Sequence, residues 1–282
     1  MDIATFYPQH PTLQQHIEYY YFLRAGSPDF QTTYYAFPNI AVPVSLHRSA
    51  LYEINEQHTR VQAVKHGTPA ALIQRSFQTP LLVKLQGPID KITICFKPAG
   101  ISYFLTQPFC EIAPADSQAF TGWTQLPAYH RLLNSFFATD DNQERVSLLE
   151  DFLAAIYTST PEHTLTEQAV NWLMDFTEDL SIEEIANRLN LSTRSLNRLF
   201  QKHLSISPVA WKKIARFRHS LKNKLFNAQF KKLTEIGYAS NFYDQAYFIK
   251  VYNKLTGSNP TAFFNSVEKL ADDNLIFRFV KE

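Results

Sequence analysis

Two short polar clusters, spaced as on helices, carry most of the recognisable chemistry of this sequence. In the first, Thr193, Arg194, Asn197 and Arg198 fall on one side of a helix, with Leu196, Leu199, Phe200 and His203 or Leu204 on the other. Guanidinium and amide groups of this kind form paired hydrogen bonds with guanine and adenine edges. In the second, Ala246, Tyr247 and Lys250 lie opposite Phe248, Val251, Tyr252 and Leu255. These offer a methyl, a hydroxyl and a point charge, which discriminate bases less well. Around both clusters, Ser181, Ser192, Gln201, Lys212, Lys213, Lys231 and Lys254 carry hydroxyl, amide and ammonium groups suited to phosphate oxygens.

Each cluster needs a scaffold to hold it. Ser181 with Glu184 three residues on forms a capping-box start, and Ile182, Ile185, Ala186 and Leu189 make one apolar face of a short helix. That helix stops at Asn190, a residue type that tolerates the left-handed backbone of a tight turn, and Ser192 then caps the polar helix. The same order recurs: Leu233, Ile236 and Gly237 form an inner face, Asn241 stands at the turn, and Phe248 follows its counterpart Leu196 by 52 residues. Between the two units Ser207 and Pro208 start a segment that reads as one long helix to residue 226. Helix, tight turn and polar second helix form the arrangement that lays a recognition helix in the DNA major groove. A generic helical hairpin explains one occurrence, but explains the repetition poorly.

Charge points the same way. The chain of 282 residues is nearly neutral at +1, yet residues 185–267 hold 14 basic side chains against two acidic ones, Glu235 and Asp244. Such a stretch seeks a polyanion.

At this level the sequence resembles the C-terminal domain of AraC/XylS-type transcription regulators. The resemblance covers residues 165–267 and rests on SIEEIANRLNLSTRSLNRLFQKHLSISP and LTEIGYASNFYDQAYFIKVYNKLTGSNPTAFF. It implies an all-α, seven-helix double helix-turn-helix domain whose third and sixth helices contact duplex DNA. The contacts would be Arg194, Asn197 and Arg198, then Ala246, Tyr247 and Lys250. The sequence departs from the family at Gly237, where alanine is usual, and at Ser240, where a buried leucine is usual. Glycine alone costs such a helix about 1 kcal/mol, so the second unit is expected to bind DNA more weakly.

Residues 1–115 read as strands at 19–23, 32–37, 71–77, 81–85 and 91–96, rich in β-branched and aromatic residues. Helices are expected over 126–137 and 145–157, a linker over 158–164, and a tail over 268–282 containing a short strand without an assigned partner. The first half resembles cupin-like sensor or dimerisation domains, with KITICFKPAGISYFL at 91–105 as strand, proline turn and helix. The expected fold is therefore α+β: a mostly-β cupin-like barrel with flanking helices over 1–157, then the helical domain. Val146, Leu149, Leu153 and Ile156 form a stripe proposed here to pair two copies.

Two cysteines without a CxxC spacing, no basic-apolar leader and no long apolar run lead to the expectation of a soluble, cytoplasmic chain without a membrane association. His47, His58 and His66 lack the spacing of a cupin metal set, so each is read as a surface or hydrogen-bonded histidine, and no cofactor or enzymatic activity is expected. The leading reading is a homodimeric DNA-binding regulator with a small-molecule effector, engaging RNA polymerase if it activates. A metal-dependent cupin enzyme fused to a DNA-binding domain, and an architectural DNA binder without ligand input, are the alternatives. Tyr34, Tyr35, Phe37 and Phe77 either line an effector pocket or form core; the sequence names no ligand residue.

Overall fold

A computed structural model describes residues 1–75, 78–226, 233–270 and 275–280. The first half holds β1 (Asp2–Phe6), α1 (Pro11–His16), β2 (Ile17–Ala25), β3 (Gln31–Ala36), β4 (Val42–His47), β5 (Ala50–Asn55), β6 (His58–Ala63), β7 (Ala70–Gln74), β8 (Leu81–Gln86) and β9 (Ile89–Phe96). A 3-10 turn over Gly100–Phe104, α2 (Phe109–Ile112), β10 (Ser117–Ala119), α3 (Pro127–Phe136) and α4 (Asn142–Ile156) complete it. The second half is α5 (Pro161–Met174), α6 (Ile182–Arg188), α7 (Thr193–Leu204), α8 (Pro208–Phe226), α9 (Leu233–Ala239), α10 (Gln245–Thr256) and α11 (Pro260–Ser266), followed by β11 (Glu268–Leu270) and β12 (Leu275–Phe279).

The strands form two six-stranded sheets, in the orders β1-β2-β9-β4-β7-β10 and β11-β12-β3-β8-β6-β5. Alternation along each strand decides what each face meets. On β9, Ile92, Ile94 and Phe96 turn toward the helices and join one core with Phe136, Leu149 and Leu153, while Ile89 and Cys95 turn toward the other sheet and join Tyr34, Val61 and Leu85. The first half is thus three layers: outer sheet, inner sheet, and the helices α3 and α4. It is mostly β, as expected, with the cupin-like barrel realised as two facing sheets. At the end of β9 the chain enters the 3-10 turn instead of a full α-helix. There Gly100 lies so close to α1 that a Cβ would meet the His16 carbonyl oxygen at 2.2 Å.

Three expectations change. The apolar stripe of α4 does not face outward: Val146, Leu149 and Leu153 are buried in the core of their own chain, so the stripe is not free to pair two copies. The 158–164 stretch already contains the first turn of α5, whose N-cap Thr160 accepts from His163 N with Pro161 in the first turn. Third, β12 pairs antiparallel with β3, placing Phe277 opposite Ala36 and Phe279 opposite Tyr34. Within the tail β12 is therefore a strand of the first half's outer sheet, separated from its partner by most of the chain. Phe77 lies outside the described residues.

Candidate nucleic-acid interface

Helices α6 and α7 are joined as the residue types require. Ser181 Oγ accepts from Glu184 N at 3.1 Å and Glu184 Oε2 accepts from Ser181 N at 2.8 Å, closing the capping box. Asn190 has φ 54°, and Leu191 N then donates to Ala186 O at 2.8 Å. Ser192 Oγ accepts from Ser195 N to start α7. The second unit repeats this. Asn241 has φ 55°, Phe242 N donates to Gly237 O at 3.0 Å, and Asp244 Oδ1 accepts from Tyr247 N to start α10. Both α6 and α9 thus end on a left-handed asparagine followed by a bond reaching five residues back, which satisfies helix-end carbonyls. The exits match as well: α7 ends on Ser205 at φ 54° and α10 on Gly257 at φ 71°. Pro208 and Pro260 then open the next helices.

Helix α8 ties the units together. Trp211, Ile214 and Ala215 belong to the core of the first unit, and Phe217 and Leu221 to that of the second. A buried bond of 2.7 Å between the Ser220 and Tyr252 hydroxyls fixes α10 against it. Nineteen residues at about 1.5 Å each give α8 a length of roughly 28 Å, so it sets the separation of α7 and α10.

On the outer face of α7, Thr193, Arg194, Asn197, Arg198 and Gln201 are exposed. Asn197 Nδ2 donates to Thr193 O at 2.9 Å. On α10, Ala246, Tyr247, Lys250 and Lys254 are exposed, although the Tyr247 ring leans on Phe242 with centroids 6.1 Å apart. Gln245, Ile249 and Asn253 share that exposure and match Thr193, Asn197 and Gln201 at the 52-residue spacing. They escaped the sequence reading because it judged the second face by itself instead of by that offset. The second turn is one residue longer than the first, and within it stands Tyr243, 89% exposed.

The outlying phosphate candidates divide. Ser192 and Lys254 lie beside the exposed faces, and Ser181 is exposed at the start of α6. Lys212 does not belong with them: its Nζ lies 2.8 Å from Asp179 and donates to Leu180 O, and its side chain is 12% exposed. Asp179 itself, in a left-handed conformation at φ 46°, also holds Arg216. Burial pushes its carboxyl up, but the hydrogen bonds and charges of Lys212 and Arg216 outweigh this and hold it below the usual range. This clamp shapes the approach to α6. Lys213 is half-buried, and burial and the charge of Lys254 lower its pKa. Gln201 borders a cleft of about 310 Å³ shared with Arg75, Asp116 and Ser207, at the junction of the two halves. Lys231 lies outside the described residues.

Comparison with known proteins places this geometry. Residues 185–266 match the family model described as a helix-turn-helix domain. The C-terminal unit is a helix-turn-helix domain. Its curated relatives include the arabinose operon regulatory protein of Escherichia coli, 28% identical over 115 residues, which cover 40% of this chain and 39% of that one. The protein of the same name from Salmonella typhimurium is 29% identical over 105 residues, or 36% and 37% of the two chains. This chain therefore aligns with less than two fifths of the length of either relative. A 1.65 Å structure of ToxT from Vibrio cholerae aligns over 94% of this chain and 98% of its own, with 11% identity and a TM-score of 0.46.

The helix-turn-helix unit is docked on the first half. Ser102 Oγ donates to His203 O at 3.1 Å and Arg75 Nη1 donates to Ser205 O at 3.1 Å, so two side chains of the β domain cap the last carbonyls of α7. Arg218 of α8 donates to Phe37 O and Pro38 O at 2.9 and 2.7 Å. Among the described residues no group of three or more His, Cys, Asp or Glu is placed to hold a metal ion. His47 corrects its sequence reading: it is buried, and its Nε2 has no hydrogen-bond partner. Among the described residues no helix is long and apolar enough to cross a membrane.

Proposed function

We propose that this chain is a sequence-specific, DNA-binding transcription regulator of the AraC/XylS type, whose β domain receives a small-molecule signal. The observation that carries the reading is the repeated turn: two polar helices, each entered from a left-handed asparagine, are fixed at the two ends of α8 with their outer faces exposed. One chain so built presents two reading helices to successive major-groove segments, about 34 Å apart. Arg194, Asn197 and Arg198 then read bases, with Ala246, Tyr247 and Lys250 supporting them, and Ser181, Ser192, Gln201 and Lys254 lie toward the backbone. The domain boundaries that fit this reading are 1–157 and 165–267, with the tail 268–282 contributing β11 and β12 to the outer sheet. The role is regulatory, not enzymatic, and the site of action is the cytoplasm. Pairing of two copies, and contact with RNA polymerase in an activator, belong to the same proposal, with the pairing surface outside the α4 stripe.

The test is selection of bound duplexes from random DNA by the full chain. Enrichment of a defined sequence, with affinity falling steeply as salt rises because phosphate contacts release counterions, supports the reading. A folded chain that retains no duplex at low salt overturns it.

A further inference from the structure

Where the two sheets face each other, aliphatic side chains are the rule, yet the inner sheet of this domain is polar at its centre. Along β9, Lys91, Thr93 and Cys95 share the face turned to the outer sheet, and β4 sets His47 directly beside Lys91 and Ser45 beside Thr93. Ser45 and Thr93 satisfy each other at 2.8 Å. Lys91 and His47 have no such arrangement. Lys91 is 4% exposed, and its Nζ reaches only the Tyr21 hydroxyl, at 3.5 Å, with the Tyr21 ring 5.2 Å away. Among the described residues no carboxylate lies within ion-pair distance of it. Burial lowers its pKa to about 8, so an appreciable charged fraction persists at neutral pH. His47 is 2% exposed, and burial followed by the Lys91 charge holds it neutral.

A buried cation without a counter-charge is costly, by several kcal/mol in real proteins after relaxation. Buried charges in folded chains are as a rule paired or hydrogen-bonded, and one left without such partners beside a cavity marks a candidate binding site. Beside these groups lies a cavity of about 70 Å³, room for about five water-sized bodies. Its floor is Lys91, His47 and Tyr21, its roof the apolar Val61, Val83 and Leu85 of the outer sheet. Its far end, some 13 Å along β9 at the usual rise per residue, is closed by Arg218 of α8 and by Ile276 and Phe277 of β12.

We propose that this cavity binds a small organic monocarboxylate, its acid group against Lys91 and His47 and its apolar body beneath Val61, Val83 and Leu85. At the Lys91 end one ammonium, one neutral imidazole and one phenol match a single carboxylate, and the Arg218 guanidinium at the far end is already engaged by Phe37 O and Pro38 O. Because α8 and β12 line the same cavity, the bound acid touches elements from both halves of the molecule. The proposal rests on the reading of the β domain as the signal-receiving part and names the class of signal.

The test titrates the full chain with straight-chain carboxylates from acetate to hexanoate and with the matched neutral amides, by calorimetry and thermal unfolding. At least one acid is expected to bind about tenfold or more tightly than its amide, the margin of one charge-assisted hydrogen bond. Lys91→Met, which keeps the length of the side chain and removes the charge, is expected to abolish that preference while leaving DNA selection unchanged. Equal binding of acid and amide, unchanged acid binding in Lys91→Met, or no binding across the series overturns the proposal. The acid-to-amide comparison on the unaltered chain decides the matter even if the variant fails to fold. DNA selection by the same preparation reports separately on the regulator reading.

Discussion

Arg198 and Lys250 occupy matching places 52 residues apart, on the outer faces of α7 and α10, and they differ in what they can specify. A guanidinium holds two donors in a fixed fork and pairs with both acceptors of a guanine edge, whereas an ammonium is a rotatable point charge. Arg198→Ala is therefore expected to relax preference at one or two operator positions by about 1 to 3 kcal/mol. Lys250→Ala is expected to weaken all sequences evenly and to flatten the salt dependence by about one counterion. Binding of both variants to one operator library checks this; a larger change of preference in Lys250→Ala reverses the assignment of the two helices. Asn197 lies between the arginines, already donating to Thr193 O, so it must give up a local bond to reach a base.

Among the elements, α4 is held by a charge cluster as well as by its apolar face. Arg145, fully buried, donates to Asp90 through Nη1 at 2.8 Å and Nη2 at 3.1 Å, and Arg48 Nε adds a third bond at 2.7 Å. Burial pushes the Asp90 carboxyl up, but the bonds and charges of Arg145 and Arg48 outweigh it, so its pKa is lowered in the fold. A carboxyl so depressed stabilises the fold at pH above its unfolded value, near 3.9, and the stabilisation is lost as pH falls through the folded value. Asp90→Asn is expected to cost about 3 kcal/mol at pH 7, because Arg145 is left buried without its main counter-charge. It should also flatten the acid limb of stability against pH below about 4, which urea unfolding across pH measures directly; an unchanged limb refutes the assignment. Elements of this kind were unequally visible in the sequence. In the second half α6 to α10 were legible because caps, asparagine turns and apolar spacing agree with one another, whereas the count of seven helices rested on the family resemblance. In the first half β2, β3, β7, β8 and β9 showed as apolar runs, while β5 and β6, with ALYEIN and HTRVQA, alternate with polar residues such as Glu53, Asn55, Arg60 and Gln62 and did not. The stripe on α4 was seen correctly but assigned to the wrong surface, since periodicity shows that a face is apolar and not what covers it. Lys91 and His47 went unnoticed as a pair because only the register of β4 against β9 brings them together.

At the scale of the whole molecule, β12 makes the two halves one structure. Phe277 packs on Tyr34 with centroids 4.4 Å apart, Arg278 lies 4.7 Å over the Tyr35 ring and donates to Ser258 Oγ at 2.9 Å, and Ile276 is buried in the core around Phe217 and Phe248. Phe277→Ala is expected to lower stability by about 2 kcal/mol, less than the 3 to 5 of a fully buried phenylalanine, because the ring is half-buried. Hydrogen exchange at residues 31–36 should rise together with exchange in α10. A rise confined to 31–36 would mean that the halves are not coupled through this strand.

The same strand bears on how the chain is made. β3 leaves the ribosome early, and about 240 residues follow before the strand that covers its open edge. At roughly 5 to 20 residues per second that is an interval on the order of 12 to 50 seconds. Throughout it, a row of unpaired amides and carbonyls beside Tyr34 and Tyr35 is open to any other extended segment. During synthesis, then, this chain carries an unfinished sheet until β12 reaches it, and the strand that closes it also packs into the helix-turn-helix half through Ile276.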